Sequence, residues 1–181
     1  IENYSENSEI RYVGGCVRKI INNETIDDID LAVNLSPKKV SEVLNKNKIK
    51  FYETGIEHGT ITALINKNKF EITSLRKDVE TDGRHAKIEF STSWYEDASR
   101  RDFSINAIYA DINGNLYDPF DGKKNIENGM VQFIGNEENF PKIVQNLAEV
   151  SDSEEFRQRR HQFLDHLLAR FSDAYTDVAN F

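Results

Sequence analysis

The stretch RYVGGCVRKIINNETIDDIDLAV, residues 11–33, decides the fold of this chain. A short apolar run ends at Gly14 and Gly15, and a second apolar run carries the acidic residues Asp28 and Asp30. The pattern predicts a strand at residues 10–13, a helix at residues 16–22 and a strand at residues 28–33. This order of elements indicates a mixed α/β domain.

The rest of the chain to about residue 140 continues this alternation. N-cap residues predict helices at residues 36–45 and 94–100. We also expect a helix at residues 103–109 and a short helix at residues 123–129 that ends at Gly129. Alternating apolar residues around turn signals predict hairpins within residues 59–76 and 109–118. We further expect a loop at residues 77–93, with a short strand at 87–90, and a last strand at residues 130–135.

Composition limits the classes of function. A chain of 181 residues with 38% hydrophobic residues can bury a core, and its net charge of −8 argues against a basic nucleic-acid binder. A local basic patch could still contact a nucleic acid. Cys16 is the single cysteine, which excludes an internal disulfide, and no apolar run reaches the length of about 20 residues that a membrane helix needs. We therefore expect a cytoplasmic protein with no membrane partner.

The pattern changes near residue 140. Residues 141–181 contain no strand signal and no glycine, and apolar residues recur there at helical spacing. We predict a catalytic domain at residues 1–140 and a helical extension at residues 141–181. An amphipathic helix at residues 152–171 would offer a surface for self-association or for docking a partner.

Three carboxylates form the first candidate site. Asp28 and Asp30 are two residues apart on a predicted strand, so their side chains project the same way and repel each other. A hard divalent cation such as Mg²⁺ would relieve this repulsion, because Mg²⁺ prefers oxygen ligands. Glu71, between apolar neighbours on another predicted strand, could be a third ligand. Taken alone, the acids fit an exposed turn equally well.

The glycine pair favours a phosphate-binding function. Gly14 and Gly15 lie at a strand-to-helix junction, where backbone can approach a phosphate closely, and Arg18 follows on the first helical turn. A Gly-Gly pair alone is more often only a tight turn. Twelve residues separate Gly15 from Asp28, and this combination is far more specific than either motif.

The order V-G-G, twelve residues, D-I-D-L resembles the nucleotidyltransferase signature of the DNA polymerase beta superfamily. Residues 10–138 are similar to the head domain of the bacterial class II tRNA nucleotidyltransferases (CCA-adding enzymes) and of their poly(A) polymerase relatives. The matching segments include TGIEHGTITALI, FEITSLRKDVETDGRHA and YEDASRRDFSINAIYADINGNLYDPF. The resemblance implies an α/β (α+β) polymerase-beta-like head with a mixed sheet and flanking helices.

The resemblance also implies roles for particular residues. Asp28 and Asp30 match the metal-binding pair, with Glu71 as a third acid. The positions implied to bind the nucleotide are Gly14, Gly15, Arg18, Arg100, Arg101, Asp102 and Asn106. Without the resemblance, a surface salt-bridge cluster would be the preferred interpretation of residues 100–102. The loop at residues 77–86 matches a flexible loop that helps to select the nucleotide.

The reaction implied by the resemblance is transfer of CMP or AMP from CTP or ATP to an RNA 3′ end, above all that of tRNA, with two Mg²⁺ ions. The segment after FIGN departs from the family's neck pattern, which carries base selection. Three hypotheses therefore stay open. The chain is the head of a CCA-adding enzyme that is active in a longer or partnered form, a poly(A)-polymerase-like transferase, or a non-catalytic NTP-binding or assembly module.

Overall fold

The computed structural model of this chain describes residues 1–2, 4–79 and 87–135. One compact unit spans Ile1–Ile134. The predicted extension at residues 141–181, with its helix at 152–171, lies outside the described residues, as does most of the predicted nucleotide-selecting loop. The division of the chain at residue 140 therefore stays a prediction.

A seven-stranded sheet is the centre of this unit. Its strands are β1 (Ile10–Val13), β2 (Asp30–Val33), β3 (Lys50–Gly55), β4 (Thr60–Ile65), β5 (Asn68–Ser74), β8 (Tyr109–Ala110) and β9 (Leu116–Tyr117). The spatial order is β3-β4-β5-β2-β1-β8-β9, with β2 and β5 parallel and the other neighbours antiparallel. A separate antiparallel ribbon pairs β6 (Arg76–Val79) with β7 (Lys87–Phe90).

The described residues form four α-helices beside the sheet: α1 (Gly15–Ile21), α2 (Pro37–Lys46), α3 (Trp94–Ser99) and α4 (Gly122–Glu127). Short 3-10 turns lie at Ile56–His58 and Ser104–Asn106. The N-terminus of α3 confirms half of the predicted capping box, because the Ser93 hydroxyl accepts the Glu96 N–H at 3.3 Å. No helix in the described part of the chain is long and apolar enough to cross a membrane.

Strand β2 is buried on both faces, because successive residues of a strand point to opposite sides. Val33 packs with Val40 of α2 on one face, and Ala32 packs with Ala98 of α3 on the other. Both faces of the sheet are thus covered by a helix at β2. This burial fixes the position of the first residue of β2, Asp30, at the end of a rigid strand.

Several predicted boundaries are wrong for identifiable reasons. The predicted helix at residues 103–109 is only the 3-10 turn at Ser104–Asn106, because Tyr109 pairs with Val13 as part of β8. The predicted strand at residues 130–135 is reduced to one bridge between Phe103 and Phe133.

Two further boundaries also move. The beginning of the predicted loop at residues 77–93 is strand, because β6 pairs with β7. Strand β2 begins at Asp30 rather than at Asp28, which leaves Asp28 in the irregular segment that leads into the strand.

Candidate nucleotide-binding and metal site

The parallel pairing of β2 and β5 brings two of the predicted carboxylates together. Asp30 is in register with Glu71, so both side chains project from the same face of the sheet. Asp28 lies two residues before β2 and is exposed. In the described part of the chain, none of these three carboxylates has a hydrogen bond or a salt bridge to a protein group.

The electrostatics of Asp30 are unfavourable for an ionised carboxylate. Burial raises the pKa of Asp30, the charge of Asp28 raises it further, and the charge of Arg101 opposes both. The net pKa lies above the ordinary aspartate value. A bound cation would remove the repulsion between Asp28 and Asp30.

The carboxylates fit a hard divalent cation by their chemistry. They supply oxygen atoms that have no protein partner, and Mg²⁺ commonly takes one or two carboxylates and completes its shell with water and substrate phosphates. Among the described residues, no group of three histidine, cysteine, aspartate or glutamate side chains is placed so that it could hold a metal ion. Asp28, Asp30 and Glu71 are therefore not gathered into one ligand set, although Asp28 acts electrostatically on Asp30 and Glu71 is in register with Asp30.

The glycine turn lies next to the predicted arginine. Gly14 joins β1 to α1 with a φ of +71°, a conformation that side chains rarely adopt. A Cβ atom at Gly14 would lie 3.7 Å from Nη1 of Arg101 and 3.8 Å from the carbonyl oxygen of Asn106. A Cβ at Gly15 would have no neighbour within 4 Å. The turn thus has Arg101 on one side and open space on the other.

Three other predicted residues form one hydrogen-bonded chain. The Arg18 guanidinium donates to Oδ1 of Asn106, and Nδ2 of Asn106 donates to Oδ1 of Asp102 at 3.2 Å. The backbone N–H of Phe103 donates to the same Asp102 oxygen at 2.8 Å. Arg101 joins this chain through its Nη1, which donates to the Asn106 carbonyl at 3.3 Å.

The structure adds a residue that the sequence reasoning missed. Asp97 of α3 is only 1% exposed and forms salt bridges with Arg100 at 2.8 Å and Arg101 at 3.1 Å. The arginines therefore pair with Asp97, and not with Asp102 in a surface cluster. An acid three and four residues before two arginines on a helix was the available signal.

Arg100 and Arg101 both pair with Asp97 but differ in their other contacts. The Nε of Arg100 donates to Oδ1 of Asp97 at 3.0 Å and to the Arg76 carbonyl at 3.1 Å, so Arg100 ties α3 to β6. Arg101 instead lies against the Gly14 turn and acts electrostatically on Asp30. Of the two arginines, Arg101 is the one that lies next to Gly14 and acts on Asp30.

Burial and charge oppose each other at Asp97. Burial alone raises the pKa of Asp97, but the charges of Arg101 and Arg100 and the hydroxyl of Tyr109 outweigh it, so the pKa is lowered. Burial also raises the pKa of Tyr109, which keeps its hydroxyl neutral at physiological pH. Arg100, Arg101 and Asp97 together thus carry a net positive charge. Through Arg101, this charge acts on Asp30.

The chain belongs to the poly A polymerase head domain family, whose model matches residues 10–132. The resemblance found in the sequence is confirmed. The chain is 43% identical over 132 residues to human mitochondrial CCA tRNA nucleotidyltransferase 1. The match covers 72% of this chain and 30% of the human protein. It is 38% identical over 129 residues to the CCA-adding enzyme of Listeria monocytogenes. That match covers 70% of this chain and 32% of the Listeria enzyme.

A solved structure supports the same assignment. The CCA-adding enzyme of Bacillus stearothermophilus in complex with CTP matches with a TM-score of 0.65 and 27% identity. The match covers 80% of this chain and 36% of that chain. The present chain therefore spans about a third of the length of the relatives that it matches.

Proposed function

We propose that this domain transfers CMP and AMP from CTP and ATP to the 3′ end of tRNA, as its CCA-adding relatives are named for doing. The observation that carries the proposal is the placement of unpaired carboxylates beside an arginine that lies on a glycine turn. Asp30 and Glu71 are in register, and Arg101 acts on Asp30 while lying against Gly14.

In this proposal, the glycine turn and its neighbouring cations bind the nucleotide. The triphosphate lies against the open side of Gly15, with Arg18 and Arg101 neutralising its charge. Asp102 and Asn106 form the polar wall that contacts the ribose, since each keeps oxygen or nitrogen atoms for further hydrogen bonds. Arg100 supports this wall from α3 without reaching the turn.

Asp28 and Asp30 would hold Mg²⁺, with Glu71 as a third acid. When bound, Mg²⁺ lowers the pKa of the attacking hydroxyl and stabilises the leaving pyrophosphate. The protein's own contribution is to hold Asp30 at a rigid strand end without a protein partner among the described residues, with Asp28 close by in the chain. Arg101 offsets part of the negative charge that would otherwise keep a triphosphate away.

The test is nucleotide transfer by the 181-residue chain with Mg²⁺, labelled CTP or ATP, and tRNA that ends before, within or after its CCA sequence. We expect incorporation that stops when the CCA end is complete and that disappears in Asp30→Asn. Asp27→Asn is the matched control, because Asp27 is an exposed neighbouring acid that pairs with Lys19.

Other results would decide between the remaining hypotheses. Repeated AMP addition to any RNA 3′ end would indicate a poly(A)-polymerase-like transferase. Binding of Mg-CTP with no transfer to any RNA would indicate either a head that is active only in a longer or partnered form or a non-catalytic NTP-binding module. Transfer that survives in Asp30→Asn would refute the assignment of the metal site.

A further inference from the structure

We infer that Asp97 and Tyr109 are positioning residues that hold the Arg101 guanidinium in the orientation in which it binds the nucleotide's triphosphate. This inference rests on the proposed function and extends it to two residues that the fold, not the motif, brings to the site. Among the described residues, neither side chain has a hydrogen bond to the glycine turn or to Asp28, Asp30 or Glu71, whereas both are bonded to Arg101, so both would act through Arg101.

The three side chains form a closed triangle of hydrogen bonds. Nε of Arg101 donates to the Tyr109 hydroxyl oxygen at 3.0 Å, and the Tyr109 hydroxyl donates to Oδ2 of Asp97 at 2.7 Å. Nη2 of Arg101 donates to that same Asp97 oxygen at 3.1 Å. The triangle fixes the plane of the guanidinium, because two of its nitrogen atoms are tied to groups on two different elements.

The partners of the triangle are themselves immobile. Asp97 receives the Arg76 backbone N–H at 3.2 Å and two bonds from Arg100. The ring of Tyr109 is fully buried and makes an edge contact with Trp94 at 5.3 Å between centroids. A guanidinium held by such groups loses little freedom when it binds an anion.

The triangle also leaves donors of Arg101 for a ligand. Of its five N–H groups, three are bonded to described residues: those on Tyr109, Asp97 and the Asn106 carbonyl. Nη1, which carries one of the remaining N–H groups, lies 3.7 Å from the Cβ position of Gly14. Nη1 therefore lies beside the turn that is proposed to bind the phosphates.

For Asp97→Asn, an electrostatic role and a positioning role predict opposite changes in the affinity for CTP. Asp97→Asn removes a negative charge, so a purely electrostatic role predicts tighter CTP binding. A positioning role predicts weaker binding, because Arg101 loses its fixed orientation. Tyr109→Phe changes no charge and keeps the buried ring, so it tests the orientation alone.

The experiment measures the Kd of CTP with Mg²⁺, without RNA, for the 181-residue chain by calorimetry. We expect Tyr109→Phe to raise the Kd about tenfold, because it removes hydrogen bonds to a guanidinium and a carboxylate. Tyr117→Phe is the matched control, since Tyr117 is in register with Tyr109 on β9 and its hydroxyl makes no hydrogen bond to a described residue. Thermal unfolding of each variant shows that the fold persists.

A second background separates positioning from general loss of structure. Arg101→Lys keeps the charge but not the planar group that Tyr109 orients. In that background we expect Tyr109→Phe to change the Kd less than about twofold. An equal loss in both backgrounds, no loss in either, or tighter binding in Asp97→Asn would overturn the positioning role while leaving the proposed function intact. A folded wild-type chain that binds no CTP would overturn both.

Discussion

Asp30 on β2 is in register with Glu71 on β5 in a parallel strand pair. The next pair of the register, Leu31 with Ile72, contributes to the core beneath α2. Asp30 and Glu71 are therefore attached to two strands whose next residues pack in the hydrophobic core. Their charges are held together by the hydrophobic core, against their mutual repulsion.

Asp30→Asn should abolish transfer while making the folded domain more stable. The loss of activity should exceed about 100-fold, the upper range for groups that only support a metal ligand. The pKa of Asp30 is raised in the fold, so its ionised form costs stability above that pKa, and asparagine removes this cost. Initial rates and thermal unfolding of Asp30→Asn and Asp27→Asn at pH 7 check both parts. A melting temperature below that of the wild type would contradict the electrostatic argument.

Mg²⁺ should stabilise the wild-type chain and leave Asp30→Asn unchanged. Binding to the folded state alone would add about 2.7 kcal/mol at a concentration 100 times the Kd. The Asp30 carboxylate must be ionised to bind Mg²⁺. The stabilisation by Mg²⁺ should therefore shrink as the pH falls through the raised pKa of Asp30. Melting curves with Mg²⁺ or EDTA across this pH range provide the measurement. Equal shifts in both proteins would place the cation elsewhere.

Asp97→Asn should lower the free energy of unfolding by about 3–5 kcal/mol, because it leaves two partly buried guanidiniums without their buried anion. The pKa of Asp97 is lowered in the fold, so its stabilisation is complete above about pH 4, the ordinary aspartate pKa, and is lost as the pH falls through the lowered value. Urea unfolding at several pH values should therefore show the two proteins converging in acid. Glu96→Gln, on the exposed side of α3, is the control, and an equal loss there would argue against the buried pair.

Gly14→Ala and Gly15→Ala should have opposite effects on stability. Alanine fits the space at Gly14, but the combination of φ +71° and ψ −130° is sparsely populated for an L residue and costs about 1–3 kcal/mol. Gly15 is the first residue of α1 and its Cβ would meet open space, so alanine there should be neutral or stabilising by up to about 1 kcal/mol. Urea unfolding of both variants compares them directly. If the proposed phosphate site is right, Gly15→Ala should also weaken CTP binding despite its stable fold.

Local signals account for the elements that were predicted correctly. The glycine pair, Pro37 at the first turn of α2 and the Ser93 cap each act within a few residues of the chain. The errors arise where distant segments compete with such signals. Residues 103–109 read as a helix, yet Tyr109 is buried in the sheet beside Val13, and that pairing outweighs a modest helix propensity.

The candidate site divides in the same way. The sequence by itself determined which residue types are present and their local order: an Asp-x-Asp pair after a Gly-Gly turn, and two arginines before an aspartate. Only the tertiary structure decided that Glu71 is the register partner of Asp30 and that Arg101 pairs with Asp97 and Tyr109. The physical reason is that strand register and buried ion pairing depend on the packing of segments far apart in the chain, and no local pattern encodes these.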